Sequence, residues 1–308
     1  MKKTVIYFAV LVAALLTGCC NMIAGNPHIG VQLYSAIKFI GNPEKYAENH
    51  EAVLKGLADM GYETVETASY ADGKIYGVTP EQFSNDCGKY GLKPLSTHTT
   101  RNLSEEEFRS GRISEKTVEW WNTCIEAHKA AGMKYIVVPS VHFAFSKSNV
   151  PHTLAELQTF CDYLNTVGKM VKDAGMEFGY HNHAYEYSKV ENEVMYDYML
   201  THTNPEYVFF EMDVYWTVRG QSSPVDYFRK YPGRFKVLHI KDHREIGQSG
   251  MVGFDAIFAN AATAGTKDII VEVEHYSYDD VMKSIAESAD YLLNAKFVKA
   301  WEKTATRH

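Results

Sequence analysis

The sequence predicts a single (β/α)8 TIM barrel, and three observations predict it. A unit made of a helix end, a glycine and a short apolar run recurs along the chain. It appears as Asp59-Met60-Gly61-Tyr62-Glu63, Lys89-Tyr90-Gly91-Leu92-Lys93 and Ala130-Ala131-Gly132-Met133-Lys134, and returns as Asp173-Ala174-Gly175-Met176-Glu177 and Thr263-Ala264-Gly265-Thr266-Lys267. A glycine just past a helix suits a left-handed C-cap. The brief Val/Ile/Phe-rich runs that follow read as parallel strands buried on both faces. Second, such runs alternate strictly with helical patterns, eight of each over about 270 residues, which is the count and size of a TIM barrel with right-handed crossovers. Third, the first strand leads into Val31-Gln32-Leu33-Tyr34-Ser35. An open doubly wound sheet, the alternative, would usually place a Gly-rich phosphate loop there.

The first residues stand outside this pattern. Lys2 and Lys3 form a basic start, and Val5 to Leu16 is an apolar run of signal-peptide length, short for a membrane span. It ends in Leu16-Thr17-Gly18-Cys19, which resembles the bacterial lipobox, with Cys19 the lipidated residue. The expected division is therefore a lipoprotein signal peptide over 1–18, a tether over 19–28 and a catalytic barrel over 29–308. The mature chain is then exported and held to the cell envelope by acyl chains.

Strands are expected at 29–34, 62–67, 92–98, 134–139, 176–182, 206–213, 235–240 and 268–274. Helices are expected at 43–60, 80–90, 114–131, 152–174, 192–202, 224–230, 254–264 and 278–294. Pro43, Pro80 and Pro224 fall where first-turn prolines belong.

Composition narrows the function. The formal charge is −7, and removing residues 1–18 takes away two lysines and no acid. An acidic body argues against a nucleic-acid partner, which favours a basic face. Five cysteines are too few for a disulfide scaffold at 308 residues. Cys124 and Cys161 lie in helical patterns and read as small buried residues. No CxxC occurs, so neither a structural zinc site nor a redox pair is indicated.

The chemistry gathers at the strand ends, where a TIM barrel carries its active site. Strand 2 ends in Glu66, strand 3 in His98 and strand 4 in Pro139-Ser140, with His142 beyond. Strand 5 runs into Gly179-Tyr180-His181-Asn182-His183-Ala184-Tyr185-Glu186-Tyr187. Strand 6 carries Glu211 and Asp213, strand 7 ends in His239-Ile240-Lys241-Asp242, and strand 8 carries Glu272 and Glu274. A carboxylate or imidazole at the end of a buried strand must be paired, hydrogen-bonded or on a metal. Glu272 and Glu274 share parity and face the same side. Each residue alone has a structural explanation; the convergence of acids and histidines on one rim points to a site. Two or three carboxylates with one or two imidazoles suit a divalent metal of intermediate hardness. Mn2+ is the first choice, with Mg2+, Co2+ or Zn2+ as alternatives. Such an ion chelates a hydroxy-ketone and stabilises the enediolate formed when a base removes the adjacent proton.

In this order and spacing several segments resemble one family. They are Ile29-Gly30-Val31-Gln32-Leu33-Tyr34, Gly61-Tyr62-Glu63-Thr64-Val65-Glu66, Gly91-Leu92-Lys93, His98, and Tyr180-His181-Asn182-His183 with Glu186. The most specific are Asp213-Val214-Tyr215-Trp216, His239-Ile240-Lys241-Asp242 and Val271-Glu272-Val273-Glu274. The chain resembles the sugar phosphate isomerase/epimerase superfamily, the xylose isomerase-like TIM barrels. The resemblance implies a metal held by a carboxylate from strand 5, Asp213, His239 and, on strand 8, Glu272 first, with Glu274 as the fallback. Many relatives carry a Glu where this chain has His181, and Glu186 is the expected strand-5 ligand, with His181 or His183 as substitutes. Glu186 or Glu272 is the expected base, and Lys241 and His183 are candidates to hold the oxyanion or return a proton. Glu66, His98, His181, Asn182, Trp216 and Glu274 are the expected substrate contacts. The implied activity is a metal-dependent isomerase or epimerase on a keto-sugar or keto-glycoside. A dehydratase or lyase using the same intermediate and a non-catalytic sugar-binding protein are the alternatives. A nucleic-acid-cleaving branch of the superfamily fits neither the acidic body nor the lipobox.

Overall fold

The computed structural model describes residues 27–141 and 151–304. The expected signal peptide, most of the tether and His142 lie outside them. Eight parallel strands close a barrel: β1 (Gly30–Gln32), β2 (Thr64–Thr67), β3 (Lys93–His98), β4 (Tyr135–Val138), β5 (Glu177–His181), β6 (Val208–Asp213), β7 (Val237–Lys241) and β8 (Asp268–Glu272). Each strand pairs with its sequence neighbours, and β1 pairs with β8 to complete the ring. All eight expected strands are present. The five repeat glycines take positive φ, for example 94° at Gly61 and 82° at Gly265, as the helix-end reading requires. Pro43, Pro80 and Pro224 open their helices behind Asn42, Thr79 and Ser223, whose side chains cap them.

Departures from expectation have local causes. The first strand stops at Gln32 because its side chain accepts the Tyr34 N–H at 3.0 Å and starts the 3-10 turn Leu33–Ala36. The last strand stops at Glu272 because the Val273 N–H turns to Ser35 Oγ at 2.9 Å. The helix expected from 192 begins at Met195, after a two-stranded hairpin of Lys189–Val190 and Glu193–Val194. Glu105–Ser110 forms a helix that periodicity had not marked, closed by a reciprocal Ser104–Glu107 capping box. Asp213 both ends β6 and caps a further short helix, Val214–Arg219, by accepting the Trp216 N–H at 2.8 Å.

The core lies in two places. Outward-facing strand residues such as Val65, Ile136, Phe178, Tyr180, Phe210, Leu238, Ile240 and Val271 pack beneath the helices. Inside the barrel, Tyr135, Val137, Phe209, Val237 and Ile270 form a separate apolar plug. Fully burying side chains of this size stabilises by about 1.5–3 kcal/mol each. The plug fills the lower barrel, so the inward positions nearer the C-terminal ends are the ones free to carry polar chemistry.

Candidate active site

Strand parity sets the site. On β5, Tyr180 faces the helices and His181 faces the barrel. On β6, Glu211 and Asp213 face inward, as do His239 and Lys241 on β7 and Glu272 on β8. The register aligns Glu211 with His181, Asp213 with His239 and Lys241 with Glu272. One ligand atom from each of His181, Asp213, His239 and Glu272 lies within 4.8 Å of the others. Asp213 Oδ2 and His239 Nδ1 are buried there with no hydrogen-bond partner. Leaving such atoms unsatisfied costs about 1–3 kcal/mol each. His239 Nδ1 is 3.5 Å from Glu272 Oε2. That is near the spacing, about 3 Å or slightly more, of two ligands sharing an ion at 2.0–2.2 Å. Two imidazoles and two carboxylates around orphaned atoms fit a divalent metal.

A charged layer surrounds this group. Lys241 donates to Glu272 Oε2 at 2.9 Å and also to Glu274, and its ammonium lies 5.1 Å from the centre of the Trp216 ring. Burial opposes ionisation of Glu272, yet Lys241 holds it well below the usual carboxylate range. Burial pushes Asp213 up to about 7 against the pull of Lys241. The same burial pushes His183 down to about 4, which leaves a neutral imidazole.

Beneath lies a second polar layer. Glu66 Oε1 accepts from Gln32 Nε2 at 2.8 Å and meets His239 Nε2 at 2.7 Å. Glu211 Oε2 meets His98 Nε2 at 2.6 Å and His181 Nδ1 at 3.1 Å. Above both layers opens a cavity of about 320 Å³ lined by Tyr34, Ala68, His98, Pro139, Ser140, His181, His183, Glu272 and Glu274.

A family model described as Xylose isomerase-like TIM barrel matches residues 54–295. The chain belongs to that family. A sugar phosphate isomerase/epimerase of known structure from Parabacteroides distasonis has a TM-score of 0.77 at 35% identity, over 88% of this chain and 99% of that one. An inosose dehydratase from Geobacillus kaustophilus is 24% identical over 63% of this chain and 62% of that protein, so the chain spans about three fifths of that curated relative. The structure of IOLI protein with a bound zinc atom shares the fold, with a TM-score of 0.62 at 14% identity over 91% of this chain and 100% of that one.

In this xylose isomerase-like barrel the expected residues fall into three sets. Asp213, His239 and Glu272 come together, with His181 beside them. His98, His181, His183 and Glu274 line the cavity, and Lys241 stands behind Glu272. Glu186, Asn182 and Glu66 do not reach it. Glu186 follows the outward parity of Tyr180: its oxygens accept from the Tyr180 hydroxyl at 2.6 Å and the His183 N–H at 2.8 Å. Burial raises it to about 7. It closes the 3-10 turn Tyr185–Tyr187 and is neither in the ligand cluster nor on the cavity wall. Asn182 is fully buried and bridges β5 to β6, accepting the Asp213 N–H at 3.2 Å and the Tyr196 hydroxyl at 3.1 Å. Glu66 is fully buried under the histidines and does not line the cavity. Trp216 packs beside His183, with 5.7 Å between ring centres, and faces Lys241 instead of lining the cavity. The residue passed over in assigning roles is Glu211. Its signal was legible: it stands two residues before Asp213 on one strand, so both face inward.

Proposed function

We propose that this chain is a divalent-metal-dependent sugar isomerase or epimerase that removes the proton next to the carbonyl of a keto-sugar or keto-glycoside. The observation that carries this reading is the convergence of His181, Asp213, His239 and Glu272, two of which, His181 and Glu272, line the cavity, with Lys241 locked onto Glu272. These four would hold the ion. The donor set, without a thiolate, suits Mn2+ first, with Zn2+ also compatible. The bound ion would supply Lewis-acid polarisation of the carbonyl. Glu272, kept ionised by Lys241, is the carboxylate on the cavity wall that accepts the proton. His183, neutral and on the same wall, can hold the developing oxyanion by a hydrogen bond, and the proton taken up by Glu272 is available for return to the substrate. The cavity lining carries two carboxylates and, among the described residues, no Arg or Lys; that favours a neutral sugar over a phosphorylated one. The 35% identity to a sugar phosphate isomerase/epimerase supports the isomerase or epimerase assignment.

A dehydratase or lyase is the second reading, favoured by the similarity to an inosose dehydratase. It uses the same proton removal, followed by loss of the substituent one carbon further on. A lipobox at Leu16-Thr17-Gly18-Cys19 would put either activity on the envelope side of a membrane. Loss of labelled fatty acid from a Cys19→Ala chain expressed in bacteria checks that placement.

The purified barrel should carry about one divalent ion per chain, and keto-sugars incubated with it in D2O should gain deuterium next to the carbonyl. NMR of the products separates an epimer from an elimination product. Asp213→Ala and His239→Ala should each lose the ion; retention by both sinks the site.

A further inference from the structure

We propose that Glu66 and Glu211 are positioning residues that aim the two candidate metal-binding histidines. Each engages one ring nitrogen so that the other faces the centre. The proposal rests on the metal reading above and extends it to residues that touch neither substrate nor ion.

His239 stands between two carboxylates. Its Nε2 is 2.7 Å from Glu66 Oε1, and its Nδ1 is 3.5 Å from Glu272 Oε2. A neutral imidazole carries one N–H and one lone pair. A proton on Nε2 donates to Glu66 and leaves the Nδ1 lone pair on the side of Asp213 and Glu272. His181 uses the opposite nitrogen: Nδ1 is 3.1 Å from Glu211 Oε2, which leaves Nε2 for the cavity the ring lines. A carboxylate behind a metal-binding histidine fixes ring orientation and tautomer and raises the basicity of the ligating nitrogen.

Glu66 and Glu211 are held for this task. Gln32 Oε1 accepts the Tyr34 N–H, which orients the amide so that Nε2 donates to Glu66. His98 Nε2 sits between the two acids, 2.6 Å from Glu211 Oε2 and 3.1 Å from Glu66 Oε1, and links them into one layer. Both acids are fully buried, and neither lines the cavity. Two buried carboxylates would be costly for packing alone.

The competing use of this layer is a second ion, because His98, His181, Glu211 and His239 also bring ligand atoms within 4.8 Å. The 2.6 Å between His98 and Glu211 speaks for a hydrogen bond: two ligands of one ion at 2.0–2.2 Å are spaced wider, at about 3 Å or more.

The test uses Zn2+ as the probe on the wild-type chain, Glu66→Gln and Glu211→Gln. Each variant should bind zinc 10–100-fold more weakly in chelator competition. Nitrogen-15 NMR of histidines in the zinc-loaded wild type should show His239 protonated at Nε2 and His181 protonated at Nδ1, a signature that a purely structural role would not produce and that needs no variant to fold. Zinc affinities within twofold of wild type, or the reverse tautomers, overturn the proposal. So does a wild-type stoichiometry of two that falls to one in Glu211→Gln, which assigns the layer to a second ion. A wild-type chain that takes up no zinc, manganese or cobalt overturns the metal reading itself, a result distinct from bound metal with unchanged affinities.

Discussion

The Phe209 ring occupies the space that a side chain at Gly179 would need. A Cβ built on Gly179 would come within 2.5 Å of the ring's Cζ. The two residues are partners in the β5–β6 register, and both face into the barrel beneath the polar layers. Gly179 thus lets an aromatic plug seal the floor of the site. Gly179→Ala is expected to destabilise the fold by about 1–3 kcal/mol through overpacking. A thermal melt should fall by about 2–4 °C for each kcal/mol lost, and an unchanged midpoint would show that the ring moves freely aside.

Lys241 is buried, with its ammonium shared by Glu272 and Glu274 beneath the Trp216 face. Lys241→Met removes that charge at similar length. Metal should remain, since none of the four clustered ligands is lost, while solvent-proton exchange of the substrate should slow by about 10²–10⁴-fold, the usual worth of the proton transfer for which Lys241 keeps Glu272 ionised. Loss of metal together with exchange would instead assign Lys241 to holding the site together.

Glu186→Gln separates the sequence-based expectation from the geometry. The carboxylate closes its own turn through Tyr180 and His183. The variant should therefore keep its full complement of metal, measured by elemental analysis after gel filtration, and should lower the thermal midpoint. A metal-free variant with wild-type stability would restore Glu186 as a ligand.

His128 gives the fold an acid sensitivity away from the site. Its Nδ1 donates to the Cys124 carbonyl at 2.7 Å, while Nε2 is buried without a partner. Burial pushes its pKa down from 6.5 to about 4. The unfolded chain therefore takes up a proton before the folded one does. The stabilisation is fully present above about pH 6.5 and is lost as pH falls toward 4, by about 3 kcal/mol at 1.36 kcal/mol per pH unit. In denaturant titrations across that window, a His128→Leu chain should show a shallower decline of stability with falling pH than wild type. Parallel declines would mean that His128 protonates readily in the folded state.

The barrel was legible in the sequence because its determinants are local. Helix-end glycines, first-turn prolines and short apolar runs act within a few residues, and their order alone implies parallel strands. Asp213, His239 and Glu272 were legible for a similar reason: each is a polar residue at the end of an apolar strand, where parity turns it inward. Beyond β5 that logic stopped. Glu186 lies past the strand end in a turn, and no periodicity says which way a turn folds. The parity of Tyr180 and the hydrogen bonds that Glu186 accepts took it to the helix side and left His181 inside. Asn182 and Glu66 read from sequence as rim residues. Tertiary packing buried them, one as a bridge between strands and the other behind His239. The sequence by itself determined the strand order and which side chains face the barrel axis. Only the tertiary structure decided which of them meet, because meeting depends on register and depth around a closed ring, set by contacts between residues far apart in the chain.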